Sequence, residues 1–273
     1  MSRLQILRDR TRLKGVHRRR VEREGEAELA PAFSPDGLSA QTRTLAVGGF
    51  SQLFDTEYES VVIASWMTAG LARIGAPLDL VGAFGKVTED EIRHVDLVAQ
   101  LLEGFAVVPS VAALPLPPPV ATIVGPDAIE EVLSGLASFF CVGEELSSHI
   151  FKAAMELATE PRMRWAVSEI FRDEATHGAF GFETVRELVR LLDPMRKARV
   201  AQRVQAAIKA FEARLGGPLD ANADRQISEV ERALAGLGLL PRAALLGIFY
   251  EQLEASVLPR LEDAGLIVDI QVR

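Results

Sequence analysis

Two stretches of five residues decide how this chain reads: Asp90-Glu91-Ile92-Arg93-His94 and Asp173-Glu174-Ala175-Thr176-His177. Both have the form Asp-Glu-x-x-His. On a helix, residues three apart share a face, so one turn offers a carboxylate and an imidazole to the same metal ion. Two such turns facing each other can hold two ions, provided each of two further helices adds one glutamate. The fold expected for the chain therefore depends on finding those two helices and their inward-facing glutamates.

Working outward from the first motif, apolar periodicity predicts a helix over about Leu78–Phe105, with Phe84, Val87, Glu91, His94, Val98, Leu101 and Phe105 on its inward stripe. Its predecessor is predicted over roughly Ser39–Ile74, with Phe50, Leu53, Phe54, Val61, Ala64, Thr68, Leu71 and Ala72 on one stripe. Gly75-Ala76-Pro77 separates the two, with Pro77 placed as an early residue of the second helix. The second motif lies on a predicted helix over about Arg162–Leu192, with Val167, Ile170, Phe171, Glu174, His177, Gly181, Val185 and Leu188 facing inward and Asp193-Pro194 as its stop. Before it, a helix is predicted over about Ala128–Thr159, with Asp127 as N-cap and Glu160-Pro161 as the following turn.

The stretch from Val107 to Gly125 carries Pro109, Pro115, Pro117, Pro118 and Pro119 and no periodic pattern. No continuous helix passes through it. A loop of that length inside a compact domain needs a structural reason. Parallel second and third helices supply one, because their connection must run the full length of the bundle. The fold class read from the chain is all-α: a basic and acidic arm over 1–38, a four-helix bundle over 39–192, and a helical extension over 193–273. The extension is expected to pack on the bundle with helices near Met195–Leu215, Ala221–Ala235 and Pro241–Leu258, Pro259 lying near the last end.

Composition agrees with this class. Hydrophobic residues make up 48% of the 273, enough for a sizeable core, and aromatics beyond the 13 Phe are few. A net charge of −8 argues against general nucleic-acid binding. No uninterrupted apolar run is suited to a membrane span. Cys141 is the single cysteine, so no internal disulfide forms, in keeping with a reducing, cytoplasmic setting. Residues 1–23 hold Arg3, Arg8, Arg10, Arg12, Lys14, Arg18, Arg19, Arg20 and Arg23 without an apolar segment behind them, which is not the pattern of a secretory signal. The arm is expected to be solvated or partly ordered.

The remaining ligands follow from a helical wheel at about 100° per residue. Glu57 sits in the apolar stripe among Phe50, Phe54, Val61, Ala64 and Leu71, whereas Glu59 falls on the side of Asp55 and Arg73. A carboxylate in an apolar stripe is costly unless compensated, and a metal compensates it, so Glu57 is chosen over Glu59. On the third helix Glu145 lines up with His149, Lys152 and Glu156, a solvated face, while Glu144 lies beside Phe140, Phe151 and Met155. Glu144 is chosen. The expected set is Glu57, Glu91, His94, Glu144, Glu174 and His177. The intervals from Glu57 to Glu91 and from Glu144 to Glu174 are alike, as two antiparallel hairpins with ligands at equal depth require. Carboxylates and imidazoles without thiolate favour iron or manganese. Asp90 and Asp173 are expected behind the ligands, each receiving the second ring N–H of the histidine on the opposite helix.

At these residues the chain resembles the ferritin-like diiron-carboxylate superfamily, and more closely the bacterial ferritin-like domain proteins. The likeness rests on Glu57-Tyr58-Glu59-Ser60-Val61, Gly75-Ala76-Pro77, the motif ending at His94, and Cys141-Val142-Gly143-Glu144. It covers about residues 45–190 and neither the arm nor the extension. The resemblance implies a four-helix bundle that binds two Fe ions, or Mn or a mixed Mn/Fe pair, and reacts with dioxygen. Glu91 and Glu174 would bridge the ions, and Glu57 and Glu144 would be terminal. The activity so implied is a non-haem diiron oxidase or oxygenase acting on a small metabolite, with an external electron donor and room for a homodimer. Phe140, Phe151 and Met155 would line an apolar substrate pocket, or simply fill core. The alternative is a ferroxidase or iron-handling protein without an organic substrate.

Overall fold

The computed structural model describes residues 3–6, 11–21, 31–111, 125, 127–217 and 228–270. The described chain is all-α apart from one two-stranded antiparallel pairing of β1 (Leu4–Gln5) with β2 (Ser110–Val111). Its helices in order are α1 (Lys14–Val21), α2 (Ala40–Arg73), α3 (Leu78–Gly104), α4 (Ala128–Leu136), α5 (Glu145–Leu157), α6 (Pro161–Val189), α7 (Pro194–Arg214), α8 (Glu229–Gly236), α9 (Arg242–Gln252) and α10 (Leu258–Asp263). Two π-helical turns interrupt this series, Ala137–Glu144 between α4 and α5 and Leu253–Val257 between α9 and α10.

Helix starts follow local side-chain chemistry. Ser39 accepts from the backbone N–H of Thr42, Glu160 from that of Met163 with Pro161 at the first turn, and Asp193 from that of Arg196 with Pro194 behind it. Several boundaries differ from the sequence reading, among them the helix expected over Ala128–Thr159, which the π turn interrupts and which ends at Leu157, and Pro241, which caps α9 rather than opening it. Pro77 is the N-cap of α3 rather than a residue within it. Asp127 precedes α4 without a capping hydrogen bond, its carboxylate lying 3.8 Å from Arg196 instead. Helix α6 ends at Val189, since Asp193 is committed to capping α7. The last helix runs past Pro259 to Asp263, because the π turn before Pro259 has already loosened the backbone ladder that its missing N–H would break. Ala72, placed on the inward stripe of α2, is exposed at that helix's last turn.

The core divides into two apolar clusters, and this division gives the helix directions. Helix α2 runs from Ala46, Phe50 and Phe54 in one cluster to Ala64, Met67 and Leu71 in the other. Helix α3 runs the opposite way, from Phe84 and Val87 to Leu97, Val98 and Leu101. The third segment runs in the same sense as α3, from Val132 and Leu136 on α4 to Phe151 on α5. Helix α6 returns from Met163 and Ile170 to Phe182 and Val185. The second and third segments therefore run in the same sense, so the chain between them has to return from the second cluster to the first. The proline-rich stretch expected to do so lies largely outside the described residues.

Helices α7 and α9, with the turn after α9, share the first of these clusters, whereas Leu234 of α8 and the following Leu237 pack in the second. Val200, Val204 and Ile208 of α7 and Phe249, Leu253 and Val257 of the α9 region pack with Val132, Leu136 and Val142. The predicted helix near Ala221–Ala235 is described only from Ser228 onward, as α8, which a Ser228–Glu231 capping box starts. At the other end described residues of the basic arm reach α2, α3 and β2. Arg3 donates to both oxygens of Asp55 on α2 and to the backbone of Ser110, and His17 lies 3.5 Å from Asp96 on α3. Arg8, Arg10 and Arg23 lie outside the described residues. Among the described residues no helix is long and apolar enough to cross a membrane.

Candidate metal centre

Between the two apolar clusters, each long segment contributes polar residues to a buried layer. Glu57 follows Phe54 on α2, Glu91 and His94 lie between Val87 and Leu97 on α3, Glu144 ends the first π turn, and Glu174 and His177 lie between Ile170 and Phe182 on α6. Both histidines are fully buried, and Glu57, Glu91, Glu144 and Glu174 are at most 8% exposed. Burying so many ionisable groups is unfavourable without compensation.

The geometry is nearly two-fold symmetric. His94 turns Nδ1 toward Glu57 at 3.4 Å, Glu91 at 3.4 Å and Glu174 at 3.3 Å. His177 turns Nδ1 toward Glu91 at 3.1 Å, Glu144 at 3.6 Å and Glu174 at 3.9 Å. The other nitrogens point outward and cross over. Nε2 of His94 on α3 meets Asp173 on α6, and Nε2 of His177 on α6 meets Asp90 on α3, both at 3.4 Å. The ring centroids are 5.9 Å apart.

Two groups of four ligand atoms result, each within 4.8 Å of one another: Glu57, Glu91, His94 and Glu174, and Glu91, Glu144, Glu174 and His177. Glu91 and Glu174 belong to both. The inward approaches lack hydrogen-bond geometry. Both oxygens of Glu91, Oε2 of Glu174 and Nδ1 of both histidines are buried with no hydrogen-bond partner among the described residues. Native interiors rarely leave such atoms unsatisfied, and here five from four residues converge. Four carboxylates carry the charge that two divalent cations balance. The residues present thus fit a two-ion centre in donor type, in number and in charge.

In the metal-free chain, protons take over part of this compensation. Burial pushes Glu57 up to about 7, with His94 pulling it back. Burial also raises Glu174 well above the carboxylate range, and the neighbouring Glu144 adds to the rise. Burial alone would raise Glu91 too, but the facing His94 and His177 outweigh it and hold it at about 2. Burial favours neutral histidines, yet the surrounding carboxylates prevail and raise both, Glu91 and Asp173 acting on His94 and Asp90 and Glu144 on His177. Ligands that hold protons must release them to bind a cation.

Glu59, the rejected neighbour of Glu57, points away from the centre and pairs with Arg214 of α7 at 2.8 Å. Glu145 corrects the sequence reading. It is buried, 9% exposed, rather than on a solvated face, because the C-terminal segment covers it: Ser256 donates to one oxygen and Arg260 to the other at 2.5 Å. Phe140, Phe151 and Met155 do not gather at one place. Phe140 packs edge-on against Phe84 at 4.6 Å in the first cluster, whereas Phe151 and Met155 belong to the second.

Residues missed by the sequence reading brace the outward aspartates. Arg93, inside the first motif and buried, reaches Asp173 at 3.3 Å and Glu169 at 2.6 Å. Lys86 pairs with Asp90 one turn along α3. That i,i+4 spacing is legible in sequence, and Glu169 stands at the same spacing before Asp173. Compared with protein-family models and with curated proteins, the chain matches none.

Proposed function

We propose that this chain is a ferritin-like dimetal-carboxylate protein, a four-helix bundle with one long crossover, and that it is a non-haem diiron oxidase or oxygenase. Dioxygen and a small metabolite are its substrates and an external donor supplies electrons. The observation that carries the reading is the pair of four-residue groups sharing Glu91 and Glu174, with buried unpartnered donor atoms converging on both. Carboxylate and imidazole donors without thiolate suit iron or manganese. Bound ferrous ions would supply the electrons and open coordination positions that reduction of dioxygen needs.

The chain's own residues have separable tasks. Glu91 and Glu174 serve both positions, Glu57 and His94 one, Glu144 and His177 the other. Asp173 and Asp90 accept from Nε2–H of His94 and His177, which leaves each Nδ1 as a lone-pair donor and fixes ring orientation. The apolar clusters above and below keep water from the layer.

Anaerobic loading with Fe(II), removal of loose metal, iron analysis and dioxygen uptake test the proposal together. Two irons retained per chain and uptake of dioxygen on mixing are expected. Retention of less than one iron per chain, or full retention by both Glu57→Ala and Glu144→Ala, would sink it. Uptake by a large hollow assembly on size-exclusion chromatography would favour iron storage over substrate oxidation.

A further inference from the structure

We propose that Arg260 and Ser256 are positioning residues for Glu144, so that the C-terminal segment sets how tightly the Glu144–His177 position holds its ion. The inference rests on the metal-centre reading and adds a role for a part of the chain remote in sequence from every ligand.

Glu145 is the connecting piece. It follows Glu144 directly and is buried, and its two oxygens are taken by groups 111 and 115 residues away, Ser256 and Arg260. Arg260 is itself held, its guanidinium stacked 3.9 Å over the Phe182 ring of α6. Glu145 also packs against Gly178, the residue after His177. A Cβ there would lie 2.9 Å from Glu145 Oε2, the oxygen that Arg260 holds, so a larger residue would make that carboxylate shift. Glu145 thus touches both the His177 turn and the C-terminal segment.

The backbone at this point is unusual. Glu144 is the last residue of one π turn, and Ser256 lies in the other, Leu253–Val257, which packs against it. A π turn carries one residue more than the α-helical ladder accommodates. Where the ladder has that slack, side-chain contacts decide the setting of the neighbouring residues. Glu57 has no such dependence, since it sits mid-way along the uninterrupted α2. Loss of the Glu145 clasp should therefore disturb one ion position and spare the other.

The test is a Co(II) titration of the full metal-free chain, followed by visible absorption and calorimetry, for wild type, Arg260→Gln, Arg260→Lys and Ser256→Ala. Wild type is expected to bind two equivalents. Arg260→Gln should leave the first equivalent unchanged and weaken the second about tenfold or more, the usual scale for losing a group behind a ligand. Its absorption bands for the second equivalent should change shape, which simple loosening of the fold would not produce selectively. Arg260→Lys should recover part of the affinity, and Ser256→Ala should cause a smaller loss in the same step. Equal weakening of both steps, or no change in either, overturns the proposal. If Arg260→Gln does not fold, Ser256→Ala decides alone, and an unchanged second step refutes it. A wild-type chain that binds no Co(II) refutes the metal-centre reading and this inference with it, whereas two equivalents in wild type and Arg260→Gln alike refute this inference only.

Discussion

The two halves of the buried centre have the same donors and different supports. In the half built by Glu57 and His94, the outward aspartate is Asp173, held by Arg93, whose side chain is 4% exposed and which also grips Glu169. In the half built by Glu144 and His177, the outward aspartate is Asp90, held by Lys86, whose side chain is 56% exposed. Glu57 rides a straight helix, and Glu144 sits at the end of a π turn clasped from the C-terminal segment. Donor chemistry alone would make the positions equal. What differs is the dielectric around the groups behind the donors: an ion pair buried on both sides keeps its geometry, while one with a partner in water is screened and free to rearrange.

The largest effects should abolish the comparison altogether. Glu91 and Glu174 are shared, so Glu91→Ala or Glu174→Ala is expected to lose both ions, read as metal per chain after desalting. Glu57→Ala and Glu144→Ala should each lose one, leaving the other position occupied. Metal that binds the folded chain alone also raises its melting temperature, by an amount that grows with free metal concentration. The increase should vanish in Glu91→Ala and persist in reduced form in Glu57→Ala. If Glu57→Ala and Glu144→Ala each lose both ions, the halves are one cooperative site and the contrast drawn above fails.

Much of this arrangement was legible because helices are periodic. The stripes of α3 and α6 read from the chain are buried as expected, apart from the half-buried Phe171. The wheel separated an inward Glu57 from an outward Glu59 only two residues away. The same wheel failed at Glu145. Amphipathic patterning reports which side of a helix is polar, and a polar side can be covered later by another segment that brings its own charge. Arg260, 115 residues on, leaves no local trace of that. The π turns were equally hidden, since ASFFCVGE has no feature that distinguishes an extra residue per turn from an ordinary buried helix. Gly181 is the nearest clue: a Cβ there would lie 2.8 Å from the Cβ of Phe140, so α6 and the π turn touch at backbone distance.

A smaller perturbation would sharpen the contrast without touching a ligand. Arg93→Leu leaves Asp173 and Glu169 without their buried partner. Removing one member of a buried pair costs about 3–5 kcal/mol, and the low end is expected because Glu169 keeps Arg172 at 2.7 Å and Asp173 keeps His94. Lys86→Leu removes a partner already in water and should cost about 0–1 kcal/mol. Urea denaturation of the two metal-free variants checks the order. Equal costs would mean that burial of the brace does not distinguish the halves.

An ion pair away from the centre provides the calibration. Glu130 of α4 is a buried carboxylate whose partners, Arg199 at 2.7 Å and Arg203 at 3.7 Å, are both about half exposed, and it belongs to neither four-residue group of the centre. Hydrogen bonding from Arg199 holds Glu130 below its ordinary range despite its burial. A carboxylate depressed in the folded state contributes stability that is present above its unfolded value. That stability is lost as pH falls through the folded value. Glu130→Gln should therefore be less stable than wild type at neutral pH, and the gap should close at acidic pH, read from urea midpoints at both. Because one partner in this pair faces water, its neutral-pH gap should be smaller than the Arg93→Leu effect. A gap as large as that of Arg93→Leu would show that an arginine–carboxylate pair matters here whatever its exposure, and the distinction between the two halves would then rest on the π turn and its C-terminal clasp alone.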